Sequence, residues 1–160
     1  QAALLRALPL LPERVKLALP GQGALLEECR SLTRRLGVEQ RVLFPGYVSP
    51  MGPWYAMADA AVSASRSEGL PFNIMEAMHM GLPVVASAVK GHTDLITDGQ
   101  SGLLYPYDDE AAFAAAVRRL LASPEEAAAL GAAAREAVEA YRLDRVLPQV
   151  MDLYLSAGKR

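Results

Sequence analysis

Two short apolar segments joined by a helix-length segment constrain the fold of this chain more than any other feature. Residues 60–64 (AAVSA) and 83–87 (PVVAS) are short, bounded and rich in small or β-branched side chains, as buried parallel strands are. Between them, a polar turn at 65–69 leads to Pro71, which suits the first position of a helix, and Gly-Leu-Pro at 81–83 suits its end. This order predicts a right-handed crossover whose turn lies at the carboxyl edge of the sheet, where open α/β folds bind ligands.

The same alternation of strand-like and helix-like segments continues along the whole chain. Because strands separated by helices form parallel sheets, the sequence predicts the α/β class, with a doubly wound, mainly parallel sheet in one domain over residues 1–160. The further expected strands are 15–19, 42–44 and 103–105. The further expected helices are 1–12, 24–36, 54–57, a short one capped by Thr93 or Asp94, 111–121, one from Pro124 through Val138, and 146–155, interrupted at Pro148.

Composition restricts the class of protein. A content of 52% hydrophobic and 21% charged residues is typical of a globular domain, and a net charge of −2 gives no reason to expect a nucleic-acid partner. The single cysteine, Cys29, cannot form an internal disulfide and is expected in the core. With no long apolar run and no signal-peptide pattern, we expect a cytoplasmic protein.

The turn at 65–69 and the helix after it carry the chemistry that the sequence predicts. Free N–H groups at residues 70–74 would form an anion site supported by the helix dipole, with Glu68 before the helix and Glu76 inside it. Their Cα atoms should lie about 10–13 Å apart. That separation does not suit a glycosidase-type acid/base pair. It suits a long ligand with hydroxyls at both ends and an anionic middle, such as a sugar, a diphosphate and a ribose in a row.

These residues resemble a known signature. Glu68 and Glu76 are separated by seven residues, with Gly-Leu-Pro after the first, Ala-Met after the second, and GLPVVAS at 81–87. This pattern is similar to that of retaining GT-B glycosyltransferases of the group 1 type, and the resemblance covers nearly the whole chain. It implies that the chain is the Rossmann-like, nucleotide-sugar-binding C-terminal half of a GT-B enzyme. Such an enzyme transfers a sugar from a nucleotide-diphosphate sugar to a glycan or lipid-linked acceptor, and the resemblance favours a UDP-sugar as the donor.

The resemblance also implies roles for individual residues. Glu76 would bind the ribose hydroxyls, and Glu68 would contact the transferred sugar near the reaction centre as the catalytic residue. Backbone N–H groups from Gly69 to Met75 would hold the diphosphate and stabilise the leaving charge. The donor-binding residues of this segment are Gly69, Leu70, Pro71, Phe72, Asn73, Ile74, Met75 and Glu76.

Two further loops carry candidate donor-binding residues. Tyr47 and Val48, in the exit loop of the 42–44 strand, match the family region that borders the nucleotide base. Tyr47 is equally well explained as an aromatic residue packed within the loop. Gly91 and His92 lie where the family usually has Gly-Gly-x-Pro-Glu, from which this chain departs in a way similar to enzymes of capsular or exopolysaccharide synthesis. His92 could donate to the pyrophosphate or on the acceptor side, or be an incidental loop histidine.

By comparison with the family pattern, the first strand of this half, with its Arg and Lys, is absent from the sequence, as is the acceptor domain. We therefore expect inner strand edges without partners, unless the sheet closes around the gap, and a requirement for an N-terminal acceptor domain or upstream segment. Any membrane contact would be made through that missing domain. The isolated chain would then be inactive, and the alternative function is a non-catalytic nucleotide-sugar-binding or interaction domain.

Two other kinds of site are not favoured. Asp108, Asp109 and Glu110 are explained as the acidic start of a helix, and we expect no metal and no cofactor. Gly21 and Gly23 lack the third glycine of a dinucleotide fingerprint, which argues against a nicotinamide-dependent enzyme and favours a strand-to-helix turn.

Overall fold

The computed structural model describes residues 1–157 and shows short parallel strands alternating with helices. The strands are β1 (Leu17–Ala18), β2 (Val42–Leu43), β3 (Ala61–Ser63), β4 (Val84–Ser87) and β5 (Leu103–Tyr105). The helices are α1 (Ala2–Ala7), α2 (Leu26–Arg35), α3 (Gly52–Met57), α4 (Phe72–His79), α5 (His92–Leu95), α6 (Glu110–Ala122), α7 (Pro124–Val138) and α8 (Leu143–Ala157), with short 3-10 turns at Leu8–Leu10, Glu39–Arg41 and Glu139–Tyr141. The predicted α/β class with parallel strands is confirmed.

The strands form two separate sheets rather than one. β1 pairs with β2, and β3, β4 and β5 pair in that order, all in parallel. Among residues 1–157, no strand pairs with the second edge of β1 or of β3. The expected strand edges without partners are thus present in residues 1–157, and the two sheets do not join there.

Helices cover both faces of the three-stranded sheet, and β4 shows why its sequence suits that position. All four residues of β4 are fully buried. Val85 belongs to the apolar cluster under α1 and α6, whereas Val84 and Ala86 belong to the cluster under α4 and α7. The alternation of a strand sends successive side chains to opposite faces, so a strand covered on both sides needs a continuous apolar run.

The opening segment contributes to the core, although the helix expected over 1–12 ends at Ala7 and is followed by the 3-10 turn Leu8–Leu10. Leu4, Leu5, Leu8 and Leu11 are at most 6% exposed. Helix α1 packs against both α2 and α6, and so it lies against a helix from each of the two sheet regions.

Helices α4 and α7 approach each other closely at a glycine. A Cβ atom placed at Gly131 of α7 would overlap the carbonyl oxygen of Gly81, which follows α4, and would lie 3.3 Å from the nitrogen of Pro83. Gly81 itself has a φ of 78° and ends the helix in the left-handed conformation that glycine adopts without strain. The fixed distance between these helices helps to position α4.

Two local predictions were wrong. The short helix α5 is capped by Gly91, with a φ of 90°, and neither Thr93 nor Asp94 caps it, because the left-handed turn comes one residue before the helix. Helix α8 continues through Pro148 instead of being interrupted there. Its apolar side chains are largely exposed; Leu153, for example, is 70% exposed.

Within residues 1–157, no helix combines the length and the apolar character needed to cross a bilayer.

Candidate functional site

The amino end of α4 presents free backbone donors. Pro71 caps the helix, which begins at Phe72, one residue later than predicted. The carbonyl of Pro71 accepts from the amides of Ile74 and Met75 at 3.1 and 3.0 Å. At this end of the helix, the amides of Gly69, Leu70, Phe72 and Asn73 have no acceptor among the described residues. Such amides, together with the helix dipole, favour a bound anion. The candidate donors of the predicted anion site are therefore these four amides.

Glu68 lies at the first edge of this helix tip and is half-buried. Its Oε1 accepts a hydrogen bond from the hydroxyl of Ser65 at 2.6 Å. Ser65 follows β3 by two residues, so the carboxylate is tied to the end of a core strand rather than left free on a loop. The remaining carboxylate acceptor positions are available to a ligand hydroxyl.

Glu76 lies at the other edge, on the exposed side of α4. The hydroxyl of Tyr55, on α3, lies 3.0 Å from Oε2 of Glu76 and 3.1 Å from the carbonyl oxygen of Asn73. Burial raises the pKa of Tyr55, and the hydrogen bond to Glu76 raises it further, so the phenol keeps its proton near neutral pH. Tyr55 therefore holds the side chain of Glu76 against α4.

The Gly91–His92 segment packs directly behind Glu68. A Cβ atom at Gly91 would lie 2.8 Å from both the Cβ and the carbonyl oxygen of Glu68. The ring of His92 is fully buried, and its Nδ1 lies 2.8 Å from the carbonyl oxygen of Ser87. In this structure His92 thus supports the site from inside, rather than offering an exposed donor for a pyrophosphate.

Tyr47 and Val48 lie in the other sheet region, in the loop that leaves β2. Tyr47 is 73% exposed, so it is not a packed loop aromatic, while Val48 is half-buried. Gly46, at φ 77°, turns the chain here, and its carbonyl accepts from the amide of Gly21 at 2.7 Å. The ring of Tyr47 is free to stack on a planar ligand.

Three residues of the site were missed at the level of sequence: Tyr55, Ser65 and Ser87. A signal existed for the two serines, since they come at or just after the ends of the neighbouring strands β3 and β4, whose carboxyl ends share one edge. No spacing rule connects Tyr55 to Glu76, because they are 21 residues apart on different helices.

The comparison with protein families decides the assignment. The profile of the family described as Glycosyl transferases group 1 matches residues 1–123.

The chain belongs to this family.

Relatives agree with the assignment. This group 1 glycosyltransferase chain is 32% identical over 157 residues to the putative glycosyltransferase EpsD of Bacillus subtilis, a match that covers 96% of the chain and 41% of EpsD. The chain thus spans about two-fifths of the length of that relative.

Solved structures show the same fold. Sucrose-phosphate synthase from Thermosynechococcus elongatus superimposes with a TM-score of 0.91 at 30% identity, over 99% of this chain and 42% of that one. HepE of Anabaena, solved in complex with UDP and glucose, superimposes with a TM-score of 0.89 at 26% identity, over 98% of this chain and 44% of that one. Both superpositions extend over nearly the whole of this group 1 chain.

Proposed function

We propose that this chain binds a nucleotide-diphosphate sugar at the tip of α4 and supplies the donor side of a glycosyl transfer. In the proposal, Glu76 binds the ribose hydroxyls, Glu68 contacts the transferred sugar, and Tyr47 with Val48 borders the base. A UDP-sugar is the first candidate donor, supported by the complex of HepE with UDP and glucose.

One observation carries the proposal: two carboxylates flank four free amides, and a hydroxyl donor holds each carboxylate in place. The amides of Gly69, Leu70, Phe72 and Asn73 suit the diphosphate, because they are neutral donors at a positive helix end. Carboxylates suit sugar hydroxyls, since each oxygen accepts and neither donates. The order acid, amides, acid matches the order sugar, diphosphate, ribose.

The chemistry is positioning and electrostatic stabilisation. In the transfer, the bond between the anomeric carbon and the diphosphate oxygen breaks, and its electron pair leaves with the diphosphate. An acceptor hydroxyl forms the new bond to the anomeric carbon, and the proton that it loses is taken up by the departing diphosphate. The amides at the α4 tip lower the barrier by stabilising the charge that develops on the leaving diphosphate. By resemblance, the transfer retains the anomeric configuration and serves the synthesis of a cell-surface glycan or lipid-linked saccharide.

A thermal-shift experiment tests donor binding directly. UDP, GDP and their sugar conjugates are added to the chain, and a ligand at ~100 times its dissociation constant adds about 2.7 kcal/mol of stability. We expect Glu76→Ala to abolish the shift and Glu125→Ala, an exposed change on α7, to leave it intact. An unchanged shift in Glu76→Ala contradicts the ribose assignment.

The second candidate is a binding or interaction domain that needs a partner segment for activity. The observation that favours it is the pair of edges on β1 and β3 that have no partner strand among residues 1–157, because a further strand could pair with their backbone donors and acceptors. Transfer assays with the chain alone and with an added N-terminal acceptor domain separate the two candidates. Activity of the chain alone excludes the second.

A further inference from the structure

A chain of hydrogen bonds links the carboxylate of Glu68 to the protein interior. The hydroxyl of Ser65 donates to Oε1 of Glu68 at 2.6 Å. The hydroxyl of Ser87 donates to the carbonyl oxygen of Ser65 at 2.7 Å. His92 follows, with Nδ1 2.8 Å from the carbonyl oxygen and 3.3 Å from the hydroxyl oxygen of Ser87. The Glu68 carboxylate is therefore tied to β3, β4 and α5.

The direction of these bonds determines which nitrogen of His92 carries the proton. The carbonyl oxygen of Ser87 can only accept, and the one hydroxyl proton of Ser87 is directed at the carbonyl of Ser65. Nδ1 must therefore donate. In the neutral ring, Nε2 then carries the lone pair, and it cannot donate to a phosphate.

Burial makes this arrangement rigid. Ser87 and His92 are 0% exposed, and Nε2 of His92 has no hydrogen-bond partner among the described residues. The Nδ1 bonds are thus the polar contacts that fix the ring.

The backbone next to His92 contacts Glu68 as well. Gly91 packs so closely on Glu68 and Gly69 that a Cβ atom would lie within 2.9 Å of three of their atoms. The Gly91–His92 segment therefore supports Glu68 in two ways: His92 through the hydrogen bonds of Ser87 and Ser65, and Gly91 through direct packing. Neither route places the imidazole in contact with the ligand.

We propose that Ser65, Ser87 and His92 are positioning residues that fix the carboxylate of Glu68 for the transferred sugar. The proposal rests on the proposed function, since it gives Glu68 a sugar to contact. It assigns His92 a role behind the site, through Nδ1, in place of a direct contact with phosphate.

The test compares the binding of UDP with that of UDP-glucose by calorimetry, because only the second ligand carries a sugar for Glu68. We expect Ser65→Ala to weaken UDP-glucose binding about fivefold to tenfold and to leave UDP binding within about twofold. Ser65→Thr, which keeps the hydroxyl, restores most of the affinity. Ser67→Ala is the matched control, as an exposed serine of the same turn.

A double-mutant cycle shows whether Ser65 acts through Glu68. In a Glu68→Ala background, Ser65→Ala should cause no further loss, since the group that it positions is gone. Additive losses would overturn the proposal, as would equal effects on UDP and UDP-glucose.

His92 has its own pair of variants and a spectroscopic readout. His92→Asn keeps an N–H near the Nδ1 position and should retain the preference for UDP-glucose over UDP, whereas His92→Gln, whose amide lies near Nε2, should lose it. Nitrogen NMR of the wild-type ring should show the Nδ1–H tautomer. The Nε2–H tautomer, or equal behaviour of the His92→Asn and His92→Gln variants, would overturn the proposal.

The outcomes also separate this proposal from the proposed function. If the wild type binds neither ligand, the proposed function fails and the positioning role fails with it. Normal binding of UDP-glucose by Ser65→Ala removes the positioning role alone.

Discussion

The phenol oxygen of Tyr55 lies 3.0 Å from Oε2 of Glu76, and it joins helix α3 to the exposed face of α4. The same oxygen is 3.1 Å from the carbonyl of Asn73, so one hydroxyl lies against both the carboxylate and the first turn of the helix. A side chain on the surface of a helix normally samples several rotamers. Here Tyr55 restricts that sampling before any ligand arrives.

Removal of this hydroxyl should weaken nucleotide binding. Tyr55→Phe keeps the ring but frees Glu76, and we expect about a threefold to tenfold loss of UDP affinity, the size of one hydrogen bond to a charged group that is partly exposed. Tyr107→Phe, on an exposed ring outside the site, is the control for the loss of a phenol. Calorimetry on the three proteins checks the prediction, and equal affinities for UDP would show that Glu76 needs no partner.

A methyl group at Gly91 should displace Glu68. Gly91→Ala places a Cβ 2.8 Å from the Cβ of Glu68 and imposes a φ of 90° on an L-residue, so we expect both a loss of stability of about 1–3 kcal/mol and weaker binding of UDP-glucose. Gly99→Ala shares the positive φ, at 71°, but its Cβ meets nothing within 4 Å. It should lower the melting temperature without changing affinity. A loss of UDP-glucose affinity in both variants would attribute the effect to backbone strain alone.

The close approach of α4 and α7 reverses the usual effect of alanine in a helix. Gly131→Ala should gain about 1 kcal/mol from helix propensity, but the new methyl overlaps the carbonyl oxygen of Gly81. We expect a net destabilisation of about 2 kcal/mol or more by urea unfolding. Ala132→Gly, at the exposed neighbouring position, should lose about 1 kcal/mol and so confirm that α7 follows ordinary propensities. An increase in stability for Gly131→Ala would mean that the two helices separate at little cost.

Tyr105 should make stability fall at alkaline pH. Burial raises the pKa of Tyr105 to about 12, and its hydroxyl donates to the carbonyl of Ser63 at 3.1 Å. A group whose folded pKa exceeds its unfolded value, about 10 for tyrosine, contributes stability that is complete below pH 10 and is lost as the pH rises toward 12. Urea unfolding at pH 9 and 11 should show this loss.

The control for the alkaline effect is the same experiment on Tyr105→Phe. This variant keeps the edge-on contact with Phe113, whose ring centroid lies 5.2 Å away, but it has no proton to lose. Its decrease in stability between the two pH values should therefore be smaller. An equal decrease would attribute the effect to other groups, among them Tyr55, whose pKa burial also raises.

The sequence predicted the elements of this domain better than the contacts between them. The unit around α4 was predictable because local signals agree: an apolar strand, proline at the helix start, and Gly81 with Pro83 at its end. The cap of α5 was not, since a left-handed glycine before a short helix leaves no side-chain signal. The interruption expected at Pro148 was wrong, because proline removes one backbone hydrogen bond of the 15-residue helix α8 and the helix continues past it.

The candidate site also combines features that local sequence predicts with contacts that it does not predict. Glu68 and Glu76 could be placed at the two edges of one helix tip from their spacing alone, since both belong to one local segment. Ser65, which donates to Glu68, is also local, being three residues away. Tyr55 and His92 could not be placed, because they reach the site through pairings of elements that are distant in sequence. Which of several hydroxyls lies within 3 Å of a carboxylate depends on strand register, and spacing along the chain does not encode it.

The division of the strands into two sheets has a consequence for the ligand itself. Tyr47 follows β2 in one sheet, while the α4 amides follow β3 in the other, and within residues 1–157 no backbone ladder joins the two sheets. A nucleotide with its base on Tyr47 and its diphosphate on α4 would restrain the two sheet regions relative to each other. Binding would then slow amide exchange in β1 and β2, far from the phosphates, because the ligand substitutes for the cross-link that the backbone lacks.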